Sequence, residues 1–257
     1  MSYIEIQEVS RTYKSKDKAF QALNRVSLTI ERGEFICLLG PSGCGKSTLL
    51  NALAGFDRIS QGSIRIAGKE VDAPNLKNVT IFQNYGLLPW RTVEKNVELG
   101  LESQKLPADE RRMIADKYLD IVGLSSFKKS YPAELSGGMQ QRVAIARALA
   151  VDPDIIFMDE PFAALDALTR MKLQDEISAI CREQTKTIIF VTHDIDESIV
   201  LADRIVIMTP NPGRIKTIIP VDLPRHRDRT SPDFLHIRDH VFTEFAMKPE
   251  DKTEYYI

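Results

Sequence analysis

The chain has 257 residues, with 34 Lys and Arg against 36 Asp and Glu, a formal charge of −2 and 43% hydrophobic content. That length holds one large α/β domain, with or without a small appended unit, and the balanced charge excludes the global basic field of a nucleic-acid binder. Cys37, Cys44 and Cys181 lack metal spacing and suggest no disulfide framework, which fits a reducing cytosol, and no apolar run approaches the ~20 residues that span a bilayer.

The chain opens Met1-Ser2-Tyr3-Ile4-Glu5-Ile6, which alternates like a strand and lacks the features of a signal peptide. The expectation is a protein that neither spans a membrane nor is exported by that route, and that is free to dock on a membrane protein. Residues 3–9, 26–30 and 63–66 read as short alternating strands, predicting an antiparallel edge. Between them, Phe35–Leu39 is a continuous apolar run, the mark of a buried strand. It leads into Gly40-Pro41-Ser42-Gly43-Cys44-Gly45-Lys46-Ser47-Thr48 and then a helix-like stretch. Strand, glycine loop and helix in that order form a nucleotide-phosphate cradle. The glycines at 40, 43 and 45 let the backbone wrap an anion, and the N–H groups and the helix N-terminus face it. Lys46 supplies a mobile charge for the terminal phosphates, and the Ser47 hydroxyl is a magnesium ligand.

Residues 79–82 form another strand candidate that ends at Gln83, and Tyr85-Gly86-Leu87-Leu88-Pro89-Trp90 follows. This apolar, aromatic segment either packs inside or receives a partner's helix; the residues alone leave both open. From Pro107 to Leu124 the pattern turns helical, with Ile114, Tyr118, Ile121 and Val122 on one face and Gly123 as the stop. Asp109, Glu110, Arg111, Arg112 and Lys117 read as its solvated face. Ser136-Gly137-Gly138 is a second glycine signal: Ser136 caps a helix running through Ala150. It is either an ordinary capped helix or one whose bare N–H groups meet an anion.

The run at 155–158 reads as a strand covered on both faces, and Asp159-Glu160 follows it. Carboxylates at the C-terminal end of a parallel strand lie where such sheets bind ligands. Asp159 is suited to hold magnesium, directly or through water, and Glu160 to polarise the water that attacks a γ-phosphate. Runs at 187–191 and 204–208 repeat the buried style, with helix-like stretches between, so a parallel sheet is expected. His193, just after the first of these, is placed to reach a terminal phosphate. Past Thr209 the chain turns through Pro210-Asn211-Pro212-Gly213 into a short strand-like piece and a polar tail.

The order and spacing of these motifs resemble the nucleotide-binding subunit of an ABC transporter, over about residues 3–210. The resemblance implies a P-loop NTPase fold of class α/β: a parallel-sheet core with an antiparallel β edge and an inserted helical subdomain. It implies an ATPase domain over residues 1–209, with the helical subdomain at about 88–150, and a short C-terminal extension at 210–257. It makes 40–48 the Walker A loop, Gln83 the Q-loop glutamine, a catalytic residue and a magnesium ligand, and 135–139 the signature. It makes 155–160 Walker B with Glu160 as the catalytic carboxylate, Asp166 the D-loop aspartate, and His193 the switch histidine. Tyr13, otherwise a surface tyrosine, becomes the aromatic that stacks on adenine. Two departures stand out. Met139 occupies the position where the family's signature usually has glutamine, and Ala163 the position where the D-loop often begins with serine.

The resemblance further implies ATP and Mg2+ as ligands, and two such subunits, the second a copy of this chain or a close paralogue, that sandwich two ATP molecules head to tail. In that sandwich the Walker A loop of one subunit faces Ser136 and Gly138 of the other. The expected partners are integral-membrane permease subunits at the cytoplasmic face of the cell membrane and, indirectly, an extracytoplasmic solute-binding protein; no nucleic acid is expected. The string from Phe82 to Trp90, with Pro210-Asn211-Pro212-Gly213-Arg214-Ile215 and Leu223-Pro224-Arg225, is similar to the importer branch for nitrate, sulfonates, taurine, cyanate and bicarbonate. The rival readings are a non-transport ABC ATPase acting as an ATP-gated clamp, and a regulatory module without turnover. The first lacks its usual long coiled-coil insertion or tandem cassette here, and the second is disfavoured by the presence of both Glu160 and His193.

Overall fold

A computed structural model describes residues 2–15, 18–225 and 227–246. Among these residues ten strands form two sheets. β1 (Ile4–Ser15) and β2 (Lys18–Ile30) form a long hairpin, and β4 (Gln61–Ile66) and β5 (Lys69–Glu70) extend it into an antiparallel sheet of order β2-β1-β4-β5. The antiparallel edge is as expected, but the hairpin is much longer than the short segments read at 3–9 and 26–30. Its outer half is rich in polar residues that pair across the strands, such as Thr12 opposite Gln21. Register shifts between Ile6 and Thr12 blur the two-residue alternation on which a strand reading depends.

The second sheet has the order β10-β9-β3-β8-β7-β6. It comprises β3 (Phe35–Leu39), β6 (Asn78–Ile81), β7 (Ile155–Asp159), β8 (Thr187–Thr192), β9 (Arg204–Thr209) and β10 (Arg214–Pro220). All neighbours are parallel except the β9–β10 pair. The central strands carry continuous apolar runs because both faces are covered, and successive side chains enter different cores. From β3, Phe35, Cys37 and Leu39 pack into one core, while Ile36 and Leu38 enter the other. β8 does the same with Ile188 and Phe190 against Ile189 and Val191.

α1 (Lys46–Leu53) follows β3, and its buried Leu49, Leu50 and Leu53 join the core shared with the antiparallel sheet. Between β6 and β7 lie α2 (Val93–Val97), α3 (Ala108–Ile121) and α4 (Gly137–Ala150). The buried stripe of α3 centres on Ala115, Tyr118 and Leu119, while Ile114 and Ile121 flank it half-buried. Gly123 ends the segment at φ 66°, as a helix stop should. Arg111, read as solvated, is half-buried and donates to the Leu106 carbonyl. α5 (Ala167–Glu183) and α6 (Ile195–Leu201) complete the crossovers. The polar tail is corrected: α7 (Pro232–Ala246) is a helix whose Phe234 and Val241 are fully buried. The remainder of the expected tail, from residue 247, lies outside the described residues.

Candidate functional site

Parallel strands in register bring their C-terminal ends to one edge. Leu39 pairs with Thr192, Asp159 with Val191, and Ile81 with Met158. The glycine loop, the two carboxylates, the histidine and Gln83 therefore leave the sheet side by side. They surround a cleft of about 530 Å³ lined by Ser42, Gly43, Gly45 and Lys46 on the loop side, and by Gln83, Asp159, Glu160 and His193 opposite. Ser47 and Thr48 form part of its floor.

The loop takes its shape from its glycines. Gly45 sits at φ 92°, and a Cβ there would meet Leu23 Cδ2 at 2.7 Å and the Ala22 carbonyl at 2.9 Å. Gly43 sits at φ 78° on the cleft, with open space where a Cβ would project. Gly45 caps α1 with no side-chain hydrogen bond, so among the described residues the first N–H groups of the helix have no side-chain acceptor. Lys46 is nearly buried and donates to the carbonyls of Gly40 at 2.7 Å and Pro41 at 3.0 Å. Cys44 is buried behind it, and burial raises its thiol pKa.

Ser47 Oγ donates to Asp159 Oδ1 at 3.2 Å, joining the loop to the end of β7. Burial raises the Asp159 carboxyl pKa; the bond from Ser47 opposes this, and the neighbouring charge of Glu160 adds to it. A hydroxyl and a carboxylate at this spacing, beside a phosphate cradle, make the hard-oxygen donor set that suits magnesium. Among the described residues no group of three or more His, Cys, Asp or Glu forms a self-sufficient metal cage, and a magnesium ion shared with substrate phosphates needs none.

Glu160 adopts φ 48°, a left-handed conformation that is strained for a side chain of its size, held by its N–H bond to Val191 O at 3.0 Å. His193 Nδ1 lies 3.1 Å from Glu160 Oε1.

Other expected residues stand apart from the cleft. Ser136 Oγ caps α4, accepting from Met139 N at 3.3 Å, so the ordinary-cap reading is satisfied locally. Gly137 lies against Tyr85, and Gly138 against Ala164 and Leu165. Asp166 caps α5 through Thr169 N at 3.0 Å, a bond that lowers its carboxyl pKa. Met139 is half-buried against the core. Tyr13 donates its hydroxyl to Asp57, and its ring lies under the Arg11 guanidinium.

Sequence reasoning missed three contributors. Phe20, the register partner of Tyr13, lines the cleft, as does Ala22. Phe20 belongs to the half of the hairpin that escaped the strand reading. Arg147 on α4 donates to the carbonyls of Tyr85 at 2.7 Å and Gly86 at 2.6 Å, tying the segment after Gln83 to the helix that begins at Ser136. An arginine within the apolar stretch of α4 was its only signal. Trp90, left open between packing and docking, is 71% exposed, while Tyr85 and Leu87 pack partly on the core.

Residues 23–163 match the family model described as ABC transporter. The chain is 50% identical to an aliphatic sulfonates import ATP-binding protein of Bacillus licheniformis, covering 92% of this chain and 94% of that one. It is 42% identical to a bicarbonate transport ATP-binding protein of Synechococcus elongatus, covering 96% and 93%. Among solved structures it resembles the dimeric ATP-binding cassette MJ0796 in a post-hydrolysis state bound to ADP and Pi. The TM-score is 0.80 at 34% identity, over 86% of this chain and 100% of that one.

Proposed function

The chain belongs to the ABC transporter family, and from that premise we propose that it is the ATP-hydrolysing subunit of an importer for a small anion. The observation that carries this reading is the convergence of the glycine loop, Lys46, Ser47, Asp159, Glu160, His193 and Gln83 on one cleft. The loop N–H groups and Lys46 bind the phosphates of ATP. Ser47 and Asp159, with Gln83 beside them, would hold magnesium, which when bound neutralises charge on the β- and γ-phosphates. Glu160 accepts a proton from the attacking water, and His193, 3.1 Å away on the same side of the cleft, holds that carboxylate in place.

Ser136, Gly137 and Gly138 point to a second copy of the chain. They contribute nothing to the cleft of their own protomer, yet they open a helix, and they reach a nucleotide only across a head-to-tail dimer. Asp166, at the adjoining turn, belongs to the same surface. Tyr13 would contact adenine once its ring leaves Arg11. The relatives named for sulfonates and bicarbonate support a small anion as cargo, of the class that includes nitrate and taurine. The cargo would pass through separate permease subunits, delivered by an extracytoplasmic binding protein. No helix among the described residues is long and apolar enough to cross a membrane. As the ATP-binding subunit of an importer, the chain would sit on the cytoplasmic face of its permease.

The test is phosphate release by the purified chain with ATP, with and without magnesium, and co-purification of a multi-span protein from gently solubilised membranes. Metal-dependent release with a permease attached is expected. No turnover, alone or with membranes, overturns the ATPase reading. Turnover with ribosomes or nucleic acid as the only partner overturns the importer reading.

A further inference from the structure

Glu197 lies one helical turn past His193, and its carboxylate is buried. A buried carboxylate is costly unless its oxygens are satisfied, and both are. Thr192 Oγ1 donates to Oε2 at 2.7 Å and Gln174 Nε2 to Oε1 at 3.0 Å, with Arg170 Nε 3.8 Å from Oε1. Three side chains, one from the end of β8 and two from α5, thus meet on one group. Thr192 ends β8 and precedes His193; its hydroxyl also accepts from Asp194 N at 3.0 Å, so it brackets the histidine backbone from both sides. Arg170 donates to the Leu165 carbonyl at 2.9 Å, in the turn that leads from Glu160 to α5. Gln174, one turn further along α5, is fully buried and accepts from Arg229 at 2.8 Å. An amide suits this link because it donates to a carboxylate on one side and accepts from a guanidinium on the other.

Arg229 belongs to the segment after β10, which grips α6 a second time. Arg227 donates to the carbonyls of Ile199, Ala202 at 2.6 Å and Val221 at 3.0 Å, and Arg225 donates to Leu201 O at 2.7 Å and pairs with Asp203. Cations at a helix C-terminus satisfy its last carbonyls and complement its dipole. α6 is therefore held at its end by Arg225 and Arg227, and at its first turn, through Gln174 and Glu197, by Arg229.

We propose that Arg229 and Gln174 are positioning residues for hydrolysis: through Glu197 and Thr192 they hold His193 at its distance from Glu160. The inference rests on the ATPase reading above. The side chain of His193 is largely exposed, with Glu160 as its ring contact, so its place depends on the backbone that Thr192 brackets. The segment following β10 is then a working part of the site, not a passive tail.

The test is steady-state ATP turnover by the purified full chain and its variants. Arg229 is half-buried, so Arg229→Ala should fold. Its kcat is expected to fall about tenfold, the scale of a small misplacement of a catalytic group. KM for ATP should stay within about twofold, since no phosphate contact is touched. Arg229→Lys should restore most of kcat, because one donor to Gln174 Oε1 suffices. Gln174→Met, which keeps the length and removes the link, should copy the alanine variant. Unchanged kcat in both Arg229→Ala and Gln174→Met overturns the proposal. So does a kcat loss that tracks a fall in unfolding midpoint and is not restored by lysine. A parent chain that binds ATP and releases no phosphate fells the ATPase reading as well; parent turnover with unaffected variants fells this inference alone.

Discussion

Glu160 combines a left-handed backbone, a hydrogen-bonded histidine and a place on the cleft, and strain of that kind persists only where surrounding contacts fix it. Glu160→Gln keeps the shape and removes the base. Phosphate release should fall by about 10²–10⁴-fold while ATP binding, read by fluorescent nucleotide titration, is retained; near-parental release would remove Glu160 from its proposed role. A second expectation concerns pH. Burial raises the Glu197 carboxyl above its ordinary 4.5, so the native chain keeps that proton longer than the unfolded chain does. The stability Glu197 contributes is then fully present below about 4.5 and is lost as pH rises through the raised value. Glu197→Gln does not titrate there, so its stability relative to the parent should climb across that window and then level off, as urea unfolding at stepped pH would show. At this scale the cradle and the paired carboxylates were legible because their chemistry lies in contiguous residues. The Glu197 hub was not, since Gln174 and Arg229 are far from it in sequence and nothing local marks a relay.

Among the elements, the loop before α2 is pinned by one side chain. Asn96 is fully buried; it accepts from Leu88 N at 2.8 Å and donates to the carbonyls of Leu88, Arg91 and Thr92 at 3.0–3.1 Å. Asn96→Ala strips Leu88 N and the Arg91 carbonyl of this partner, while the Leu88 and Thr92 carbonyls keep their bonds from Arg91 N and Asn96 N, and it should cost about 1–3 kcal/mol in chemical denaturation. Trp90 sits in the same loop but faces solvent, so Trp90→Ala should leave the unfolding midpoint and basal ATP turnover unchanged and abolish stimulation by the permease. A loss of fold would place Trp90 in the core instead. The central strands were readable because burial on both faces gives each a continuous apolar run. α7 was readable in principle: Phe234, Ile237, Val241 and Phe245 recur at helical spacing, but Arg238, Asp239 and His240 among them gave the stretch a polar look.

Among the described residues two cores are separated by one sheet, and the start of α4 lies outside the cleft of its own protomer. If that surface completes a neighbour's cleft, ATP should convert the Glu160→Gln chain from monomer to dimer in light scattering, and Ser136→Glu should prevent it by setting charge against charge. A monomer at saturating ATP would refute the head-to-tail arrangement. No reading of one chain shows which surfaces meet in a pair, which is why the dimer rested on resemblance alone. The paired ends of the sheet have a last consequence. Leu39 with Thr192, and Asp159 with Val191, share rungs of the ladder, so the loop, the carboxylates and the histidine are spaced by the backbone's own pitch. Their separation behaves as a ruled scale: turns elsewhere can lengthen without altering it. Removing one residue inside β8, by contrast, would exchange Phe190 and Val191 between the two cores and move His193 down a graduation.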